Sequence, residues 1–132
     1  MNITGHLERA RESIEVIEES IEKGIVERQR NIGFNASAAC VDMLEILLHK
    51  THLIDPGFII KHEWFRSPNT IKEKFPFDFH GKNEIIGLIA DIESRRDALC
   101  YGKPQQAGII GEVIEKFNRL KKKFREAGLD EI

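Results

Sequence analysis

The sequence has little of what marks several large classes of protein. It contains only two cysteines, Cys40 and Cys100, and they form no CxxC pair. That excludes a disulfide-stapled scaffold and a four-cysteine zinc module, and it fits reduced thiols in a cytoplasmic protein. No segment approaches the ~18 consecutive apolar residues of a membrane-spanning helix, so no membrane partner is expected. The opening residues, Met1-Asn2-Ile3-Thr4-Gly5-His6-Leu7-Glu8, lack the apolar run of a signal peptide. There is no excess of one charge either: 20 basic and 22 acidic side chains leave a formal net charge of −2. A chain so balanced gives no reason to expect tight, non-specific binding to nucleic acid. Glycine-rich phosphate loops, GxSxG and HExxH are all missing, so no cofactor is expected.

What is present is a pattern of amphipathic helices. The 132 residues suit one domain spanning 1–132, and 41% hydrophobic residues are enough for a core. Leu7, Ala10, Ile14, Ile17 and Ile21 step by three and four, which predicts a helix from Gly5 to Lys23, ended by Gly24. Phe34, Ser37, Val41, Leu44 and Leu48 repeat the rhythm, and Cys40 and Leu47 widen it. That predicts a helix from Val26 to His52, with small residues at its middle. Asp55-Pro56-Gly57 is a turn signature. A short third helix over Phe58–Phe65 is expected to lay Phe58, Trp64 and Phe65 across the bundle. Phe75, Phe77 and Phe79 around Pro76 read as an aromatic-anchored loop rather than a strand, and the segment between Pro68 and Pro76 as irregular. Asn83 suits the N-cap of a fourth helix reaching Tyr101, and Gly102 with Pro104 suits its stop. A fifth helix is expected from Ala107 to Ala127. The acidic first helix and the basic fifth suit antiparallel neighbours. The fold class is therefore all-α, an up-and-down bundle of four to five helices.

On the fourth helix the apolar stripe through Ile85, Ile89, Ile92 and Leu99 also passes through Arg96. A guanidinium there needs partners. One reading is an arginine that reaches solvent at the bundle edge, or pairs with Glu93 or Asp97. The other follows from a resemblance. Arg96-Asp97 followed by Tyr101-Gly102 at a helix stop, together with small residues leading to Leu47-Leu48-His49, resembles the HEPN superfamily. The pattern extends roughly from Gly5 to Ala127. The resemblance implies a four- or five-helix bundle, a homodimer joined through the fourth-helix region, and a place among toxin–antitoxin, defence or nucleotidyltransferase-linked proteins, with such a protein as partner. Many members are ribonucleases whose signature is Arg, a polar residue, three to five positions, then His. Carried onto this chain, the signature gives Arg96 and Asp97, but 101–103 are Tyr101, Gly102 and Lys103. Counting from Arg95 also reaches no histidine.

Imidazole suits abstraction of a 2′-hydroxyl proton near neutral pH, whereas tyrosine titrates near 10. The expectation is a divergent module that binds RNA or a nucleotide through Arg95, Arg96, Asp97, Tyr101 and Gly102, with little cleavage. The alternatives are a metal-independent ribonuclease using Arg96 and Tyr101, and a structural interaction domain. Other candidates compete less well. Glu45, His49 and His52 lie at spacings that offer metal ligands on one face, but no fourth ligand is obvious and no metal site is expected. Arg119, Lys121, Lys122, Lys123 and Arg125 form a run that reads as a solvated helix face more readily than a phosphate track. His62 and His80 are isolated in sequence.

Overall fold

A computed structural model describes residues 3–132. Among them are five α-helices and no strand: α1 Ile3–Lys23, α2 Gln29–Lys50, α3 Pro68–Lys74, α4 Lys82–Tyr101 and α5 Ala107–Glu126, with a 3-10 turn at His62–Arg66. This is the all-α bundle that the periodicity predicts.

The bundle is built around α2. Almost every residue from Ala36 to Leu48 is buried, because α1, α4 and α5 all pack against this helix. By length and composition α2 is also the one helix among the described residues apolar enough to cross a membrane, yet most of its surface is covered by the rest of the chain. A core helix enclosed on all sides has the same composition. Gly33 sets its approach to α4. A Cβ at that position would stand 2.7 Å from Leu99 Cβ and 3.2 Å from Cys100 Sγ, so only glycine lets the two helices cross so closely. The residue is thus a packing requirement rather than a flaw in the helix.

Several local expectations change. α1 buries His6, Ala10, Ser13, Ile17 and Ser20, a face rotated from the stripe through Leu7, Ile14 and Ile21, and Ile21 is exposed. The smaller side chains bring α1 close to α2, and closeness outweighs the larger apolar stripe. α1 and α5 are not principal neighbours: both flank α2, and Glu18 approaches Lys121 only at the edge. The 68–76 segment is more regular than its prolines suggest. Pro68 occupies the first helical turn of α3, where its missing N–H costs nothing, and the Ser67 hydroxyl accepts from Thr70 N–H. Gly81, in a left-handed conformation, precedes α4 in place of the expected Asn83 cap.

The aromatic loop holds as read. Phe75 is fully buried, its ring 6.0 Å from Trp64, 5.7 Å from Phe65 and 6.2 Å from Phe77. Trp64 also meets Phe58 at 5.6 Å. The short turns between α1 and α2, and between α4 and α5, make each pair antiparallel. The start of α1 therefore lies at the end of α2, and the start of α2 lies at the end of α4.

Candidate functional site

The N-terminal end of α2 and the C-terminal end of α4 form a seam with four conspicuous side chains. The Phe34 ring lies 5.2 Å from the Arg96 guanidinium carbon and 5.5 Å from that of Arg30. Tyr101 meets Phe34 edge-on at 5.7 Å and also lies 6.0 Å from Arg30. Two cations and two aromatic rings thus share one small surface. Beside them opens a groove of about 610 Å³ lined by Val26, Gln29, Arg30, Leu99, Tyr101 and Pro104, among others.

Arg96 is held but not neutralised. Its side chain is 27% exposed, and among the described residues its one ion pair is long, 3.9 Å to the exposed Asp97. Its Nε is buried without an acceptor among the described residues. A buried donor without a partner is uncommon in a folded protein. Attraction to the Phe34 face replaces part of the lost hydration. Tyr101 is 66% exposed, an unusual position for a large ring. Arg95, Asp97 and Gly102 are exposed. Gly102 is required locally, because a Cβ there would meet the Ala98 carbonyl oxygen at 2.5 Å.

The loop after Tyr101 is fastened by a residue the sequence does not single out. Gln29, buried at the start of α2, donates through Nε2 to the Leu99 carbonyl (3.3 Å) and the Lys103 carbonyl (3.2 Å). Its Oε1 accepts from Gln105 N–H at 2.7 Å. One amide therefore fixes where α4 ends and where Tyr101 stands.

One turn further along the seam, Glu93 gathers two partners. Its Oε1 accepts from the Ser37 hydroxyl at 2.6 Å and lies 2.9 Å from His62 Nδ1. His62, isolated in sequence, is thus drawn beside the Arg96 seam by the 3-10 turn. Glu93 and Arg96 are three residues apart on α4, about one helical turn. His80 is exposed and joins no such group, and His52 is exposed with φ 58° just beyond α2.

The thiols offer no nucleophile. Burial pushes Cys40 well above the ordinary thiol range, with the Glu93 charge adding to it. Burial also raises Cys100, more than the charges of Arg96 and Arg30 lower it. Both are free and buried. The basic run on α5 is largely paired or packed. Lys123 bonds Glu84 at 3.0 Å and Glu126 at 3.3 Å, and Lys121 lies over the Phe117 ring at 5.5 Å. This supports a solvated helix face.

A second polar group lies at the opposite end of α2. His6 of α1 stands between Asp42 and Glu45, both buried, with Arg9 at its rim and His49 one turn beyond Glu45. The metal-like spacing of Glu45, His49 and His52 is therefore not the set the fold assembles: His52 is left outside and His6 enters. The available signal was spacing: His6 shares a helical face with Ala10, Ser13 and Ile17 at steps of four, three and four.

Comparison with family models, curated proteins and solved structures finds no match to this chain.

Proposed function

We propose that the chain is a cytoplasmic, HEPN-like module that binds RNA or a nucleotide at the Arg96 seam and has little catalytic activity. The observation that carries the reading is the convergence of Arg30 and Arg96 on Phe34, with Tyr101 exposed beside them. An unstacked base finds an aromatic surface there, and a phosphate finds the guanidinium donors of Arg30 and Arg96. The site is small enough to hold a nucleotide or a short stretch of single strand. By the same resemblance the module acts as a homodimer joined near α4, with a nucleotidyltransferase-type protein as partner.

Cleavage is expected to be poor, because guanidinium does not accept a proton and no imidazole stands at 101–103. A second reading, a metal-independent ribonuclease, is favoured by one observation: His62 is bonded to Glu93, which lies one turn from Arg96 on α4. The test is an RNA binding and cleavage assay in excess chelator. Binding without cleavage is expected from the natural chain, and loss of binding from Arg96→Ala. Replacing Tyr101 by His restores the Arg-x4-His spacing and is expected to bring weak cleavage that Arg96→Ala removes. Robust cleavage by the natural chain, abolished by His62→Ala, would make it an enzyme. Failure of both the natural chain and its dimer to bind any RNA or nucleotide would leave a structural interaction domain.

A further inference from the structure

The group at the far end of α2 carries an inference independent of the Arg96 seam. Phe34 and Glu45 are separated by eleven residues, about 16 Å along the helix. Here His6 from the start of α1 faces Asp42, Glu45 and His49, which follow one another at three and four residues on one face of α2. One donor atom from each of His6, Glu45 and His49 lies within 4.8 Å of the others. His6 is 3% exposed and Glu45 3% exposed, so this is an interior site and not a surface cluster of acids.

We propose that His6 Nε2, Glu45 Oε2 and His49 Nε2 bind one divalent transition-metal ion, Zn²⁺ being the best match, which clips α1 to α2. Two imidazoles and a carboxylate are a donor set that Zn²⁺ accepts, with a fourth position for water. Donors at tetrahedral zinc stand roughly 3.4 Å apart, given bonds of about 2.1 Å. His6 Nε2 and Glu45 Oε2, now 2.5 Å apart, would open by about 1 Å to reach that spacing, while the donors as a set already lie within 4.8 Å.

Three features favour a metal over an ordinary buried ion pair. The first is the unpartnered nitrogens: His6 Nε2 and His49 Nε2 are both buried with no hydrogen bond among the described residues. The second is the contact between His6 Nε2 and Glu45 Oε2, which is very close yet lacks the alignment of a hydrogen bond. A protonated His6 bridging Asp42 and Glu45 would align that bond, and it would still leave His49 Nε2 without a hydrogen bond among the described residues. The third is that the outer hydrogen bonds a metal site needs are in place. Asp42 Oδ1 lies 2.7 Å from His6 Nδ1, which fixes the ring so that Nε2 faces inward. Ile60 N–H donates to Glu45 Oε1 at 2.7 Å, leaving Oε2 for the ion. Carboxylate-to-histidine and backbone-to-carboxylate contacts of this kind orient metal ligands. Arg9, 3.5 Å from Asp42, balances one of the two carboxylates, and the ion would balance the other.

The experiment uses the full chain without an affinity tag, stripped with chelator and titrated with Zn²⁺ by calorimetry and with Co²⁺ by visible absorption. One ion per chain is expected, with the intense visible bands of low-coordinate Co²⁺ and a rise in melting temperature. Asp42→Asn should weaken binding by about 10–100-fold, the range for losing an outer hydrogen bond. His49→Gln and Glu45→Gln should weaken it by more. His52→Ala should leave it unchanged. His49 is at the rim, so its variant is expected to keep the helical circular-dichroism spectrum of the natural chain. The natural-chain titration stands by itself if a variant does not fold. Absence of saturable one-ion binding by the folded natural chain would overturn the site, as would full binding by His49→Gln or its loss in His52→Ala.

Discussion

Arg96 is costly to keep where it is. A guanidinium with a buried, unpartnered Nε forgoes hydration that the Phe34 face returns only in part. A charge-assisted hydrogen bond contributes about 1.5–3 kcal/mol, so a phosphate oxygen held by the Arg96 guanidinium would gain roughly 10–100-fold in affinity. Arg96→Ala should lose that much when labelled single-stranded RNA is titrated by anisotropy. Its salt dependence should also shallow, because each phosphate contact removed lowers the slope by about 0.7 for a single strand. Arg96→Lys should recover the slope without the affinity, since an ammonium carries the charge but not the planar fork. Tyr101→Ala should cost about 1–3 kcal/mol of stacking and leave the slope intact. If Tyr101→Ala and Arg96→Ala alter slope and affinity alike, the division between stacking and charge is wrong.

Between elements, Gly33 and Gly87 make a matched pair. Both are inside helices, where replacing glycine by alanine ordinarily stabilises by up to about 1 kcal/mol. At Gly87 an added Cβ meets nothing within 4 Å, so Gly87→Ala should raise stability by that amount. At Gly33 it meets Leu99 at 2.7 Å, and forcing packed helices apart costs about 1–3 kcal/mol. The strain outweighs the propensity, and Gly33→Ala should destabilise the chain in urea while also weakening RNA binding. Equal shifts in the two variants would show that the α2–α4 crossing is not tight. The same pair explains what was legible beforehand. The spans of the four long helices, the Cys40 core position and the Gly102 stop follow from periodicity and punctuation, which are local, whereas the short helix expected over Phe58–Phe65 is replaced by a 3-10 turn at His62–Arg66. The rotated face of α1 and the short α3 at Pro68 depend on which neighbour comes closest. So do the entry of His6 beside Glu45 and the grip of Gln29 on Lys103 and Gln105. These partners lie far off in sequence: Gln29 and Gln105 are 76 residues apart. Of the aromatic and cationic seam, Arg96 and Tyr101 were readable because a charge broke an apolar stripe just before a helix stop. Arg30 and Phe34 were not, since neither breaks any local pattern.

For the molecule as a whole, the C-terminal residues act as a clasp. Lys50 donates to the Gly128 carbonyl at 3.0 Å and pairs with Glu131 at 3.0 Å, while Arg11 reaches the Glu131 carbonyl at 2.9 Å. Leu129 is fully buried beneath them. The hydrogen bond from Lys50 is the main reason that Glu131 titrates below the usual carboxylate range. A lowered acid stabilises the fold above its unfolded pKa and ceases to do so as pH falls through the folded value. Glu131→Gln should therefore lower stability at pH 7 by no more than about 1 kcal/mol, as expected of a solvent-screened pair, and have no effect near pH 3. A deficit that persists in acid would mean that the side chain works by packing. At the same scale, light scattering at micromolar concentration should report a dimer, and a monomer would count against assembly through α4.

The central position of α2 also has a consequence for the chain as it is made. When α2 leaves the ribosome, α1 can cover one side of it, but α4 and α5 do not yet exist. The end of α5 lies 76 residues beyond the end of α2 (126 minus 50). At about 5–20 residues per second that gap lasts roughly 4–15 s. Two sides of this most apolar helix stay uncovered until α4 is complete at Tyr101, and one side until α5 follows. A nascent chain stalled before Lys82 should therefore be a client of hydrophobic-segment chaperones, and released fragments ending there should sediment with aggregates or lipid. The finished bundle, with α2 enclosed, should do neither.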